Sequence, residues 1–262
     1  MYFVYCIFLK VWYNKEKLRK GIDKVSKVKI MKKIDMRKKY YVVLDTETCP
    51  VDKTVDGVFP SNMWTYDLGF AIVDKKGTVY EKFSFIIYDI FFQEKDLMES
   101  AYYAKKIPMY LDDIKTNKRT VVRFSTARKI LCEIMKEYNT KIVIAHNARF
   151  DVGTLNTTYR WLTKSKMRWF FPFGTEIWDT MKMANDTICK QKGYIEFCHR
   201  NGYLTKNGQV RKTAEIIHRY LSGNNEFTES HTGLEDVMIE KEIFAHCMRQ
   251  HKPMRKKCFA WG

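Results

Sequence analysis

The sequence contains the stretch Tyr40-Tyr41-Val42-Val43-Leu44-Asp45-Thr46-Glu47, in which an apolar run ends in two carboxylates. Aromatic and β-branched residues dominate the run and Cys49-Pro50 closes it, so the pattern predicts a buried strand. Side chains alternate across a strand, which places Val43, Asp45 and Glu47 on one face. Carboxylates are costly to bury unless they are paired or bound to a cation. The stretch therefore predicts a site for divalent ions at the end of this strand.

A second acidic motif follows another short apolar run. Residues 141–145 predict a strand and a helical pattern begins near Phe150, so Asp151 falls at the junction between strand and helix. The positive end of a helix dipole favours an anion at this position. His146 precedes the motif, and we expect it to support the site by hydrogen bonding to a backbone group.

A third motif opens a helix near the end of the chain and reads His231-Thr232-Gly233-Leu234-Glu235-Asp236. Thr232 and Glu235 have the spacing of a capping box, with Thr232 as the N-cap and Glu235 reaching back. Asp236 then lies in the first turn and His231 just before the helix, so both can approach one site. Oxygen ligands without a thiolate favour magnesium or manganese over zinc. Two such ions can clamp the oxygens of a phosphodiester displacement, and His231 is the candidate general base.

Taken in order, Asp-x-Glu, Asn-x-x-Phe-Asp and His-x-x-x-x-Asp resemble the motifs of the DEDDh 3′–5′ exonuclease family, which includes the DnaQ-like proofreading subunits. The resemblance covers about residues 40–248. It implies an RNase H-like α/β fold with a mixed five-stranded sheet flanked by helices. It implies that two Mg²⁺ or Mn²⁺ ions are held by Asp45, Glu47, Asp151 and Asp236, which act with His231 as the catalytic set. It implies substrate contacts by Thr46, Thr48, Asn147 and Phe150.

The activity implied by the resemblance is hydrolysis of DNA or RNA from a single-stranded 3′ end, with release of nucleoside 5′-monophosphates and with a DNA polymerase as a candidate partner. The alternatives are an RNA-specific trimming exoribonuclease and a catalytically silent nucleic-acid-binding or polymerase-associated domain. Two departures from the family pattern are the run Thr48-Cys49-Pro50 after the acidic pair and Gly233 where alanine is common. We expect the first to alter contacts to the terminal sugar. We expect the second to weaken the helix start slightly but to leave more space.

Length and charge suggest how the chain is divided. A chain of 262 residues can bury one sizeable core, and its formal net charge of +17 fits a polyanionic partner. We expect a basic N-terminal extension at 1–39, an exonuclease domain at 40–248 and a mobile basic C-terminal tail at 249–262. An alternative is that translation starts at Met31 or Met36, which would make the leading segment an artefact.

A basic helical insertion is expected near residues 190–221. Residues 190–220 carry seven Lys and Arg against two Glu. The segment also contains four aromatic residues, Tyr194, Phe197, Tyr203 and Tyr220. These rings either stack on substrate bases or pack inward, and the sequence favours neither.

Cysteines and the remaining patterns complete the expectations. Seven cysteines without Cys-x-x-Cys spacing favour reduced thiols in a cytoplasmic protein, and a zinc site of Cys and His residues from 189 to 258 is a weaker alternative. The apolar run at 1–9 is too short to cross a bilayer, so we expect no membrane segment. The sequence also predicts a hairpin around 74–77, helices near 95–104 and 125–138, and a fifth strand at 176–179. Asp179 is expected to cap the helix that follows this strand.

Overall fold

The structure is a computed structural model that describes residues 34–50, 63–100 and 104–259. The chain divides into two units, Met1–Asp35 and Met36–Gly262. The predicted extension at 1–39 lies largely outside the described residues, as does the alternative start at Met31. Every strand and helix named below belongs to the second unit.

The described residues contain one mixed sheet of six strands. The strands are β1 (Tyr40–Pro50), β2 (Met63–Asp74), β3 (Val79–Ile87), β4 (Thr120–Val122), β5 (Ile142–Ala145) and β6 (Glu176–Asp179). Their spatial order is β4-β3-β2-β1-β5-β6. β1, β2 and β3 pair antiparallel, whereas β4 joins β3, β5 joins β1 and β6 joins β5 in parallel. The mixed α/β sheet is confirmed, but the expected count of five strands is wrong, because β4 is too short to produce a periodic pattern.

Helices cover the sheet. They are α1 (Tyr88–Phe91), α2 (Lys95–Ser100), α3 (Ile107–Lys115), α4 (Phe124–Glu137), α5 (Arg149–Thr163), α6 (Thr180–Asp186), α7 (Lys192–Arg200), α8 (Ala214–Ser222) and α9 (Gly233–Arg249). The helices expected near 125–138 and after each of the last two acidic motifs are present. The helix expected near 95–104 is present over Lys95–Ser100, and residues 101–103 lie outside the described residues. The helix α3 was not predicted because Pro108 interrupts its pattern. Proline is tolerated there because the first helical turn does not need its N–H.

The alternation of side chains along β1 directs its residues to two covering helices. Tyr41 and Val43 belong to the core cluster that includes Phe244 of α9, and the rings of Tyr41 and Phe244 are 4.9 Å apart. Thr46 instead meets α5, where its hydroxyl lies 3.3 Å from that of Thr154. β1 is therefore covered by α9 on one face and by α5 on the other.

The basic insertion contributes α7 and α8, which pack against the core through Tyr194, Cys198 and Ile217. The ring of Tyr194 lies 5.1 Å from that of Tyr220, and the ring of Phe197 lies 5.6 Å from that of Tyr203. The four aromatic residues of the insertion therefore pack with one another. This packing matches the inward arrangement rather than the base-stacking one.

The basic tail is held against β6 as far as residue 258. The backbone N–H of Asp179 donates to Lys256 O at 2.8 Å, and that of Cys258 donates to Ile177 O at 2.8 Å. The expectation of a mobile tail is wrong for these residues, because an open strand edge offers backbone partners to a neighbouring chain segment. Within the described residues, no helix has both the length and the apolar character needed to cross a bilayer.

α9 crosses β2 with backbone against backbone. A Cβ on Gly69 would lie 2.2 Å from the carbonyl carbon of Gly233, and a Cβ on Gly233 would lie 2.7 Å from Gly69 N. Neither position has space for a side chain. The expectation that Gly233 leaves more space agrees with this geometry, because glycine at this position permits the crossing.

Gly69→Ala is expected to lower the free energy of unfolding by at least ~3 kcal/mol, because the new methyl group meets backbone that cannot rotate away. Gly174→Ala is the matched control: Gly174 has φ +79° and a Cβ added there would meet no atom within 4 Å, so only backbone strain of about 1–2 kcal/mol applies. Urea unfolding followed by circular dichroism measures both variants. Equal losses in the two variants would contradict a close crossing.

Candidate active site

The end of β1 and the start of α9 bring three predicted site residues together. Glu47 lies near the end of β1, Asp236 in the first turn of α9, and His231 just before that helix. One ligand atom from each of these three side chains lies within 4.8 Å of the other two. The sequence expectation that Asp236 and His231 approach one site is met by this geometry.

Asp151 lies on the side of β1 that α5 covers, and its charge interacts with that of Asp45. It lies in the first turn of α5 and is almost fully buried. Its carboxylate accepts a 2.8 Å hydrogen bond from the hydroxyl of Thr46. The sequence assigned Thr46 to substrate binding, but its buried hydroxyl is committed to Asp151. The Thr46 hydroxyl therefore orients a candidate metal ligand, and a substrate contact by Thr46 stays a prediction.

Burial, together with repulsion between carboxylates, makes this site favourable for cations. Burial, with repulsion by Asp236, raises the pKa of Glu47 to about 9. Burial raises the pKa values of Asp151 and Asp236 to about 7, although the Thr46 hydrogen bond opposes the shift of Asp151. Burial and the charge of Asp151 raise the pKa of Asp45 well above its usual range. All four predicted ligands are thus close enough for their charges to interact.

A fifth carboxylate was not predicted. Glu240 of α9 is 3% exposed, and its pKa is raised well above its usual range by burial and by the charges of Asp151 and Asp236. Glu240 follows Asp236 by four residues, so the two share a helix face. That spacing was the signal available in the sequence.

The candidate base stands between the acidic cleft and the insertion. His231 has φ +50°, and its Nδ1 lies 3.9 Å from a carboxylate oxygen of Glu229. Lys106 donates hydrogen bonds to the backbone carbonyls of Ser230 and His231. Burial and the nearby Lys106 lower the pKa of His231, which favours the neutral imidazole that a general base requires.

His146 supports the site from behind, as expected. Its Nε2 donates to Lys212 O at 2.7 Å, and its Nδ1 lies 2.9 Å from the hydroxyl of Thr180. Its backbone N–H donates to Glu240 Oε1 at 3.0 Å. Burial lowers the pKa of His146, so the imidazole is neutral and structural.

The remaining assigned residues lie around the cleft. Asp179 caps α6 by accepting from Met181 N at 2.9 Å, which confirms its interpretation as a cap. Asn147, with φ +62°, and Phe150, which is 38% exposed, stand at the surface near Asp151. Thr48 is partly buried beyond a bulge that follows Glu47. Substrate contacts by Thr48, Asn147 and Phe150 stay predictions.

The guanidinium of Arg119 contacts three carboxylates: Asp67 at 3.3 Å, Asp113 at 2.9 Å and Glu235 at 2.8 Å. Because Glu235 belongs to the first turn of α9, these contacts fix the start of that helix. The arginine side chain is 1% exposed, so its charge is shielded from solvent in these ion pairs. Glu235 also accepts a hydrogen bond from the Thr232 hydroxyl at 2.8 Å. Thr232 is the N-cap but makes no side-chain capping bond. The predicted capping box is therefore replaced by a link from Glu235 to Arg119.

The donor set fits Mg²⁺ or Mn²⁺. It consists of carboxylate oxygens, and Asp236 Oδ1 is buried without a hydrogen-bond partner among the described residues. Buried oxygens of this kind gain from a cation that replaces lost hydration. Three cysteines of the zinc alternative, Cys189, Cys198 and Cys247, belong instead to the apolar core cluster.

Comparison with known proteins supports the fold. Neither protein-family models nor curated proteins match this sequence. Among solved structures, a 3′-exonuclease in 3′-end-specific recognition of a histone mRNA stem-loop matches with a TM-score of 0.52 at 15% identity, over 96% of this chain and 76% of that chain. The Mg²⁺- and Mn²⁺-bound form of S. pombe Pop2p matches with a TM-score of 0.46 at 14% identity, over 90% of each chain. The first likeness shows that the chain has the fold of a 3′-exonuclease, and the predicted RNase H-like fold is confirmed.

In EDTA, the protein is expected to lose thermal stability as pH rises from 5 to 9. The pKa values of Asp151 and Asp236, about 7, and of Glu47, about 9, exceed those of unfolded chains, roughly 4. The resulting stabilisation is complete below pH ~4 and is lost as pH rises through the folded-state values. Tm measured across this range tests the slope, and Asp236→Asn should flatten it. A Tm that increases with pH would contradict the assignment.

Proposed function

We propose that this protein is a two-metal-ion 3′–5′ exonuclease that hydrolyses DNA or RNA from a single-stranded 3′ end and releases nucleoside 5′-monophosphates. The observation that carries the proposal is the cluster of Glu47, Asp236 and His231, whose ligand atoms lie within 4.8 Å of one another, with Asp45 and Asp151 near enough for their charges to interact. The fold supports it, because a 3′-exonuclease shares that fold.

The four carboxylates would hold Mg²⁺ or Mn²⁺, which at such a site supply charge stabilisation for the attacking and leaving oxygens. Asp45 and Glu47 come from one strand, and Asp151 and Asp236 come from the first turns of two helices. A ligand set built on regular elements holds its geometry more closely than one built on loops. Thr46 restrains Asp151 by the hydrogen bond between them.

His231 would take the proton from the attacking water. Its lowered pKa keeps the imidazole neutral near pH 7, so it can accept that proton. Lys106 holds the backbone of the turn that contains His231. It also lies near enough to Glu47 and Asp236 for its charge to oppose the rise in the pKa of each. The same cation is placed to attract a phosphate group towards the cleft.

The substrate is a nucleic acid, with Asn147, Phe150 and Thr48 at the rim of the cleft. The net charge of +17 supports a polyanionic substrate. An RNA-trimming role is the second candidate, since the 3′-exonuclease of the same fold recognises a histone mRNA stem-loop. A DnaQ-like proofreading role with a DNA polymerase partner, in the cytoplasm, is the third.

The activity is tested with 5′-labelled single-stranded DNA and RNA, and with duplex DNA carrying a mismatched 3′ end, in Mg²⁺, Mn²⁺ or EDTA. We expect stepwise shortening from the 3′ end with release of 5′-monophosphates, and no reaction in EDTA. Asp45→Ala and Asp236→Ala should lower the rate at least ~100-fold, because each removes a ligand. His231→Ala should lower kcat by ~10²–10⁴-fold with substrate binding retained.

Asp186→Ala is the control for loss of a carboxylate, because Asp186 pairs with Arg255 outside the cleft. Binding of oligonucleotides without hydrolysis in any metal would instead support the silent nucleic-acid-binding domain. Preference among the DNA, RNA and mismatched substrates separates proofreading from RNA trimming.

A further inference from the structure

Glu240 has an unusual environment for a carboxylate. It is 3% exposed, and only one of its oxygens, Oε1, accepts a hydrogen bond, from His146 N at 3.0 Å. Its Oε2 is buried and has no hydrogen-bond partner among the described residues. Its charge interacts with those of Asp45, Asp151 and Asp236. A buried oxygen in such surroundings is costly unless a cation meets it.

We infer that Glu240 is a further ligand of the metal centre, an assignment that rests on the proposed function. Glu240 shares a face of α9 with Asp236, because four residues separate them, so the helix would offer two ligands from successive turns. Oε1 is fixed by the backbone of the β5–α5 junction, and Oε2, which has no hydrogen-bond partner among the described residues, would be the ligand atom. A purely structural role would use Oε1 alone.

Glu240→Gln separates these roles. Glutamine keeps an oxygen that can accept from His146 N, but it removes the charge. Mn²⁺ binding without nucleic acid, followed by the electron paramagnetic resonance signal of free Mn²⁺, is expected to weaken ~10-fold or more. The rise in Tm caused by Mn²⁺ should shrink, while the Tm in EDTA stays equal or increases because repulsion is removed.

Glu242→Gln is the matched control, since Glu242 lies on the same helix with its side chain 51% exposed. Unchanged Mn²⁺ affinity in Glu240→Gln would overturn the inference while leaving the proposed function intact. Absence of Mn²⁺ binding by the wild type would overturn both. If Glu240→Gln does not fold, Glu240→Asp keeps the charge but shortens the side chain, and wild-type affinity in that variant would also refute the ligand role.

The loop between α5 and β6 exposes large apolar side chains. Met167, Trp169 and Phe173 are 84%, 63% and 106% exposed, whereas Phe170 between them is fully buried. The backbone of Phe170 is pinned, since its N–H donates to Asn156 Oδ1 at 2.7 Å and its carbonyl accepts from Arg128 at 2.6 Å. Three large apolar side chains are therefore presented on an anchored loop.

The charge of the same segment is entirely basic. Residues 152–175 contain no Asp or Glu but include Arg160, Lys164, Lys166 and Arg168. The guanidinium of Arg160 lies 4.7 Å from the ring centroid of Trp169, and its Nε donates to Arg168 O at 2.9 Å. Exposed rings among cations with no acid are typical of surfaces that stack bases and neutralise phosphates.

The geometry points to this loop as a binding surface for single-stranded nucleic acid, distant from the catalytic cleft. Asp151 lies in the first turn of α5, and the loop follows the end of that helix, about 18 Å further along the axis at 1.5 Å per residue. One strand could contact both only by running the length of α5. The surface would therefore retain long strands while the cleft acts on their ends.

Fluorescence anisotropy of labelled oligothymidylate and oligouridylate in EDTA tests this surface. We expect Trp169→Ala with Phe173→Ala to weaken binding of 20-mers ~10-fold, and to leave binding of 4-mers unchanged. Met109→Ala, a 40% exposed residue elsewhere, is the control. Equal affinity of the double variant and wild type for 20-mers would overturn the assignment. So would loss of self-association in the double variant without loss of nucleic-acid binding, which would make the loop a protein interface.

Discussion

The contact between the backbones of β2 and α9 at Gly69 and Gly233 is the constraint on which the site depends. It brings Gly233 N within 3.1 Å of Asp67 Oδ2, and Arg119 ties the same carboxylate to Glu235. The first turn of α9 is thereby fixed over the end of β1. Asp236 is positioned by these contacts and not by any attraction to the other acidic residues of the cleft.

That arrangement explains how a cluster of repelling carboxylates can exist in a folded protein. The cleft disfavours its own assembly, since each buried carboxylate raises the pKa of its neighbours. The apolar core on the same face of the sheet, with Val43, Val237 and Phe244 fully buried, provides the opposing free energy. Functional groups that oppose folding are retained when the rest of the structure determines their positions.

Much of the fold, and the elements that carry the candidate site, could be predicted from the sequence, because their signals are local. β1, α5 and the start of α9 each combine an apolar period with an acidic group at a defined place. The structural roles that were not predicted for Thr46 and Gly233 depend on distant partners. Thr46 meets Asp151 across 105 positions of sequence, and Gly233 is required by Gly69. The sequence has no periodic hydrophobic pattern over β4 or over the tail segment that pairs with β6, because the structure of each comes from the sheet edge that it joins.

The hydrogen bond from His146 Nε2 to Lys212 O gives the basic insertion a place in the architecture of the cleft. The backbone N–H of His146 donates to Glu240. A carbonyl of the insertion is therefore linked to the acidic cluster through a single residue, His146. Arg219 extends the connection, because its Nε donates to Phe227 O in the segment that leads to His231. The insertion is therefore not a detachable module. Exchanging it between related domains would require matching partners at both junctions, which restricts how such a domain can acquire new binding properties by recombination.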